Sequence, residues 1–169
     1  MSLNPALEDV SFCPRCGRHA DVAFPRSIRC PHCGYGAYFN PKPVACAIPH
    51  TDVGELILIR RGFEPSRGLW SMPGGFVDLG ESVEDAARRE CMEEMGIEVE
   101  IGELVGVYSH AGERVVVVAY AARALGLPQI TEEALEVRAF AAADVPWSEL
   151  AFSSDERALR DLLGRRDGR

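Results

Sequence analysis

Several features are missing from this 169-residue chain. It has no uninterrupted apolar stretch near the roughly 20 residues that a membrane-spanning helix needs, so no membrane partner is expected. Its first residues, MSLNPALEDVSF, lack a basic start followed by an apolar run. That argues against a secretory signal and for a cytoplasmic location. There is no internal repeat and no regular alternation of strand with helix, so a mixed sheet is expected rather than a doubly wound parallel one. Lysine is nearly absent, Lys42 being the only one. What is present is a globular composition. Apolar residues make up 47% of the chain, enough for a core that a disordered chain could not form. The length suits one enzyme-sized domain with a small appendage.

The net charge of -8 is unevenly spread. Residues 1–43 hold five Lys+Arg against three Asp+Glu, which leaves 13 against 23, or -10, for the remainder. An acidic body of this kind repels polyphosphates and nucleic acid over long range. A phosphorylated substrate would need a cation to mediate, and nucleic acid is not an expected partner.

Four of the six cysteines fall in two matched pairs, Cys13-Pro14-Arg15-Cys16-Gly17 and Cys30-Pro31-His32-Cys33-Gly34. In a chain without a visible secretory signal this pattern favours a metal over disulfides. A glycine after each pair permits the tight turn that aims backbone amides at thiolates. Four thiolates suit tetrahedral, structural Zn2+ at Cys13, Cys16, Cys30 and Cys33; an iron–sulfur centre is the lesser alternative. Cys46 and Cys91 read as small buried hydrophobes. The expected organisation is an N-terminal extension over 1–12, a zinc ribbon with its linker over 13–43, and a catalytic domain over 44–169.

From Val44 onward the texture changes. VACAIPH (44–50) and ELILIRR (55–61) read as strands, 62–80 as a glycine-rich loop, and SVEDAARRECMEEMG (82–96) as a helix. Ser82 is placed to cap that helix and Gly96 to end it. Further strands are expected in IEVEIGELVGVYSH, RVVVVAYAARA and EVRAFAAADV. A final helix opens at Ser153, with Ser153 and Glu156 spaced as a capping box. On the first helix Val83, Ala86, Ala87 and Cys91 share one side, and Glu90 and Glu94 fall on that same side, with Glu93 at its border. Glu84–Arg88 and Asp85–Arg89 read as ordinary surface pairs, whereas Glu90 and Glu94 have no such partner. Two like charges about 5–6 Å apart repel by roughly 3 kcal/mol at an effective dielectric near 20. A divalent cation with oxygen ligands removes that repulsion and accounts for the placement.

Gly75, Glu81, Arg89, Glu90, Glu93, Glu94 and Gly96 fit the spacing Gly-x5-Glu-x7-Arg-Glu-x-x-Glu-Glu-x-Gly. Here the chain resembles the Nudix hydrolases, with Leu69-Trp70-Ser71-Met72-Pro73-Gly74-Gly75 and Ile97 matching around the box. Cys91 stands where that family usually has an aliphatic residue. The resemblance implies an α/β/α sandwich built on a mixed sheet and Mg2+- or Mn2+-dependent cleavage of a pyrophosphate bond. It further implies that Glu90 and Glu94 are the main ligands, that Glu93 assists, and that the Gly75 carbonyl contributes. Glu81 and Arg89 would pair to hold the loop on the helix. The general base stays open among Glu93, Glu90 and an acid outside the box, for which Glu132, Glu133 and Glu136 are candidates.

The substrate is expected to be a small nucleotide, a nucleoside diphosphate linked to a second group. NADH pyrophosphatases with a zinc ribbon usually carry a Ser-Gln-Pro-Trp-Pro-Phe array after the box, where this chain has YSHAGERVVV. The proline of typical ADP-ribose pyrophosphatases is also missing, its neighbourhood offering Ala111. Residues 12–163 are similar to zinc-ribbon Nudix proteins that hydrolyse FAD and ADP-ribose. That likeness rests on Tyr38-Phe39-Asn40-Pro41-Lys42-Pro43-Val44, Gly68-Leu69-Trp70 and Leu150-Ala151-Phe152-Ser153-Ser154. ADP-ribose or FAD, each releasing AMP, is therefore the expected substrate, with NADH or another dinucleotide as the alternative. A nucleotide- or nucleic-acid-binding regulator without catalysis is the competing class, and the complete box speaks against it. A homodimer is compatible with all of these.

Overall fold

The computed structural model describes residues 3–167, which fall into two compact units. Met1, Ser2, Gly168 and Arg169, the outermost residues of the expected extension and catalytic domain, lie outside that description.

The first unit comprises the chain up to Lys42 together with His110–Val115. Three short antiparallel strands, β1 (Asp21–Ala23), β2 (Ser27–Arg29) and β3 (Gly36–Tyr38), form its sheet in the order β1-β2-β3. Its buried hydrophobic residues are Leu7, Cys13, Ala20, Ile28 and Cys30, with Val10, Val22 and Ala37 packed around them. Leu7 and Val10, from the segment read as an extension, thus join the ribbon's own core. A core of this size supplies little burial free energy.

The second unit holds Pro43–Ser109 and the chain from Val116. Its elements are β4 (Lys42–His50), β5 (Leu56–Arg61), β6 (Trp70–Ser71), β7 (Gly74–Phe76), α1 (Val83–Met95), β8 (Val99–Tyr108), β9 (Val115–Ala124), β10 (Ala134–Phe140) and α2 (Ser153–Asp167). The strands build one sheet in the order β10-β5-β4-β9-β8, with β6 added to β5 and β7 to β4. The expected class, a mixed sheet with flanking helices, is what forms. Alternation along the strands explains the layering. Ala45, Ala47, Ile57 and Ile59 point to one face and pack with Ala86, Ala87, Cys91 and Met95 of α1. The intervening Ile48, Leu56 and Leu58 are fully buried as well, as are Ala158 and Leu159 of α2. No helix among the described residues is long and apolar enough to cross a membrane.

Two local expectations need correction. The stretch 62–80 is not all loop: Ile59 pairs with Ser71, and Ala45 pairs with Gly75. Strands of two or three residues are too short to show a periodicity. At α2 the helix begins at Ser153, so the capping register lies one residue earlier. Asp155 Oδ2 accepts the Phe152 N–H at 3.2 Å, a reciprocal bond at that earlier register.

Candidate active site

Helix α1 forms where its caps dictate. Ser82 Oγ accepts from the Asp85 amide at 3.1 Å, and Gly96 ends the helix in the left-handed region at φ 60°, its N–H donating to the Met92 carbonyl. Between the caps, Glu90 and Glu94 lie on the inward face and are buried, 9% and 2% exposed. The helix-wheel reading of that face therefore holds.

The partners of the neighbouring charges differ from the simple i,i+4 pairs. Arg88 binds Asp85 at 2.7 Å, while Glu84 accepts from the Tyr120 hydroxyl at 3.1 Å. Arg89 does not reach Asp85. Its Nε and Nη2 donate to the two oxygens of Glu81 at 2.9 and 3.1 Å, and Nη2 also donates to the Phe76 carbonyl at 2.9 Å. Nη1 donates to Glu90 Oε1 at 2.7 Å and to Glu93 Oε2 at 3.0 Å. Glu90 thus does have a partner on its own helix. A planar guanidinium with five donors can hold three carboxylates and a carbonyl at once, which a surface-pair reading overlooks. The Arg89 bonds, with help from the Asp78 amide, hold Glu81 below the usual carboxylate range.

Behind α1, the turn Met72-Pro73-Gly74-Gly75 brings backbone against the carboxylates. The Gly74 N–H donates to Glu94 Oε2 at 2.8 Å. A Cβ added at Gly75 would land on the Glu90 carboxylate, nearest Oε1 and 2.5 Å from its Cδ, so this approach needs glycine. At Gly74 a Cβ would sit 2.5 Å from the Ala45 carbonyl oxygen and from Cys46 Sγ. Burial pushes the Glu94 carboxyl up to about 8, although the Gly74 amide and the Arg61 charge favour its ionised form. Burial raises Glu90 too, against the pull of Arg89. Two buried carboxylates, with Arg89 bonded to Glu90 and the Arg61 charge acting on Glu94, are hard oxygen donors, the donor type that suits Mg2+ or Mn2+.

Of the three acids outside the box, the structure sets Glu133 apart. Its charge acts on both Glu90 and Glu94. The segment carrying it is tied to the end of α1, with Gln129 N–H donating to the Met95 carbonyl at 2.7 Å and Thr131 Oγ1 to the Glu94 carbonyl at 3.0 Å. The Gly62 N–H then holds the Glu133 carbonyl at 3.1 Å. Glu136 instead faces Arg60 at 3.7 Å and Arg138 at 3.9 Å. Glu132 is exposed in the same turn as Glu133.

In the first unit the sulfurs of Cys13, Cys16, Cys30 and Cys33 all lie within 4.8 Å of one another. Cys13–Cys33 and Cys16–Cys30 are each 3.7 Å apart, and no disulfide joins them. A tetrahedron with metal–sulfur bonds near 2.3 Å has edges of about 3.8 Å, so the four thiols fit a zinc-sized ion. Gly17 and Gly34, at φ 70° and 71°, make the matching turns. His32 stays exposed, its Nδ1 3.1 Å from Arg18 Nη1. Cys46 and Cys91 are buried, and burial raises both thiols, in keeping with a packing role.

Sequence reasoning missed three buried polar residues of the second unit. Arg61, 8% exposed, lies over the Phe63 and Phe152 rings at 5.0 and 5.1 Å and donates to the Pro65 carbonyl at 2.8 Å. Ser71 and Asp155 are 3% and 2% exposed. An arginine ending the apolar run LILIRR was a visible signal for the first. Nothing marked the other two.

A family model described as the NUDIX domain matches residues 40–162. A Nudix hydrolase structure from Nitrosomonas europaea superposes with a TM-score of 0.83 at 33% identity, covering 95% of this chain and 94% of that one. An ADP-ribose pyrophosphatase of Methanocaldococcus jannaschii is 40% identical over 75 residues, 44% of each chain. An NAD-capped RNA hydrolase NudC of Haemophilus influenzae is 33% identical over 105 residues, 59% of this chain and 38% of that protein. The chain thus matches less than half the length of either curated relative. A box complete from Gly75 to Gly96, a matching fold and a family model spanning most of the sequence lead to one assignment: the chain belongs to the Nudix hydrolases.

Proposed function

We propose that this Nudix hydrolase cleaves, with Mg2+ or Mn2+, the pyrophosphate bond of a nucleoside diphosphate linked to a second group, ADP-ribose or FAD foremost, releasing AMP. The observation that carries the reading is the burial of Glu90 and Glu94 side by side on α1 against a glycine turn. Like charges held this way call for a divalent cation. Glu90 and Glu94 would hold it, with Glu93 and the Gly75 carbonyl assisting. When bound, the cation neutralises the pyrophosphate oxygens and activates a water. Arg89 and Glu81 fix the loop and helix that carry the ligands. Glu133 is the acid we assign to take the proton of the attacking water, because its charge acts on both ligand carboxylates while Glu136 is paired elsewhere. Residues 13–43 serve as a zinc ribbon whose ion is structural, since four thiolates leave no open position.

The name of the archaeal relative supports ADP-ribose. That of the bacterial one, an NAD-capped RNA hydrolase, supports an NAD-containing substrate, in line with the second reading. The charge of -10 beyond residue 43 disfavours an RNA body as partner. A panel of ADP-ribose, FAD, NADH and a sugar nucleotide, resolved by chromatography, tests the proposal. AMP plus ribose 5-phosphate, or AMP plus FMN, is expected. Preferential cleavage of NADH would select the second reading.

A further inference from the structure

Among the described residues of the second unit, the buried polar or charged side chains are Arg61, Ser71, Glu90, Glu94 and Asp155. The box accounts for Glu90 and Glu94 only. Asp155 comes from the first turn of α2, yet its carboxylate lies against the strand that leads into the glycine turn. Oδ1 lies 3.4 Å from Ser71 Oγ, whose hydroxyl also donates to the Met72 carbonyl at 3.0 Å. Oδ2 accepts from the Phe152 N–H at 3.2 Å, and the Met72 amide favours the ionised carboxyl. The chain just before it runs alongside the same strand: Leu150 bridges Trp70 in parallel, and the Ala151 N–H donates to the Trp70 carbonyl at 2.7 Å.

Only Pro73 separates Met72 from Gly74, whose N–H sits on Glu94, and the next residue is Gly75, which abuts Glu90. The path of this turn is fixed at one end by Ala45 and Cys46, which pair with Gly75 and Gly74, and at the other by Asp155. A capping carboxylate serves a helix N-terminus equally well when exposed, so capping alone does not account for a carboxylate 2% exposed. Groups that orient ligands from behind typically change metal affinity by about 10–100-fold when removed.

We infer that Asp155 is a positioning residue for the metal carboxylates. Through its contact with Ser71, beside the Leu150–Ala151 backbone paired with Trp70, it sets the course of the 71–75 turn, and so the places of Glu94 and Glu90. The inference rests on the reading of those two glutamates as cation ligands. Asparagine at 155 can keep the bond to Phe152, but its amide cannot accept at both ends. The change therefore loosens the turn without emptying the site.

The test is Mn2+ binding to the full, zinc-replete chain, read from loss of the free-ion electron paramagnetic resonance signal, with thermal melting alongside. Wild type should bind Mn2+ at a site that Glu94→Gln abolishes. Asp155→Asn should weaken that binding about tenfold or more while still melting cooperatively, and turnover should recover toward wild type at saturating Mn2+. Ser71→Ala should weaken it severalfold, and combined with Asp155→Asn should add little, because both act through one contact. A folded Asp155→Asn with wild-type Mn2+ affinity and merely a lower melting temperature would overturn the inference in favour of simple capping. If Asp155→Asn does not fold, Ser71→Ala decides, and unchanged Mn2+ affinity there overturns it. A wild-type chain that binds no Mn2+ at the Glu94-dependent site removes the metal reading itself, and this inference with it.

Discussion

Replacing Glu94 by Gln keeps the shape of the side chain and an oxygen to accept from the Gly74 amide, but it removes the charge. Glu94 is 2% exposed and its carboxyl is pushed up to about 8 by burial. In the unfolded chain a glutamate titrates near 4.3. The folded state therefore binds the proton more tightly, and without metal this residue makes stability fall as pH rises between those two values. The slope contributed approaches 1.4 kcal/mol per pH unit, so on the order of several kcal/mol accumulate by pH 8. Glu94→Gln should escape that penalty. In metal-free buffer at pH 8 the variant should melt several degrees higher than wild type, at about 2–4 °C per kcal/mol for a chain of this size. The gap should close toward pH 5. Adding Mg2+ should raise wild type and leave the variant unmoved. Both tryptophans, Trp70 and Trp147, lie in the second unit, so their fluorescence follows that unit without a ribbon signal. Activity should fall about a thousandfold or more, because the lost ligand is worth several kcal/mol in the transition state. Normal turnover by Glu94→Gln with Glu90 intact, or melting curves that keep the same separation at pH 5 and pH 8, would refute the reasoning.

Further outcomes follow from the same geometry. Gly75→Ala puts a Cβ on the Glu90 carboxylate and should weaken Mg2+ dependence at least about tenfold while the fold survives; unchanged metal titration would show that Glu90 moves aside freely. Glu133→Gln should lower kcat by about 100-fold or more, whereas Glu136→Gln should have a far smaller effect; the reverse order in steady-state kinetics would reassign the base. Elemental analysis should find about one zinc per chain, lost in Cys30→Ser, with the tryptophan-monitored melt of the second unit retained. A disulfide between Cys13 and Cys16 in fresh reduced protein would contradict that ribbon.

Features fixed by short, local spacing are legible in the sequence. The caps at Ser82 and Gly96, the inward placement of Glu90 and Glu94, and the two cysteine knuckles each depend on residues a few positions apart. The long strands announce themselves through apolar runs. What stays hidden depends on distance in the chain or on very short elements. Strands β6 and β7 have two and three residues, too few for a period. The three ribbon strands are as short, and glycine and arginine mask them. The Glu81–Arg89 pair is the one the family resemblance implies and Arg89–Glu93 is an i,i+4 pair, whereas the Arg89 bonds to Glu90 and the Phe76 carbonyl follow neither from the resemblance nor from an i,i+4 rule. The Ser71–Asp155 contact spans 84 residues, and neither side chain differs in type from an ordinary surface residue.

Turnover of the nucleotide panel, followed while Mg2+ is titrated into zinc-replete protein, tests the central claim most directly. The account predicts a rate that rises from near zero with Mg2+ and yields AMP in equal amount with the second phosphorylated product. No cleavage of any pyrophosphate linkage under Mg2+ or Mn2+, or a rate that tracks zinc instead, would contradict it.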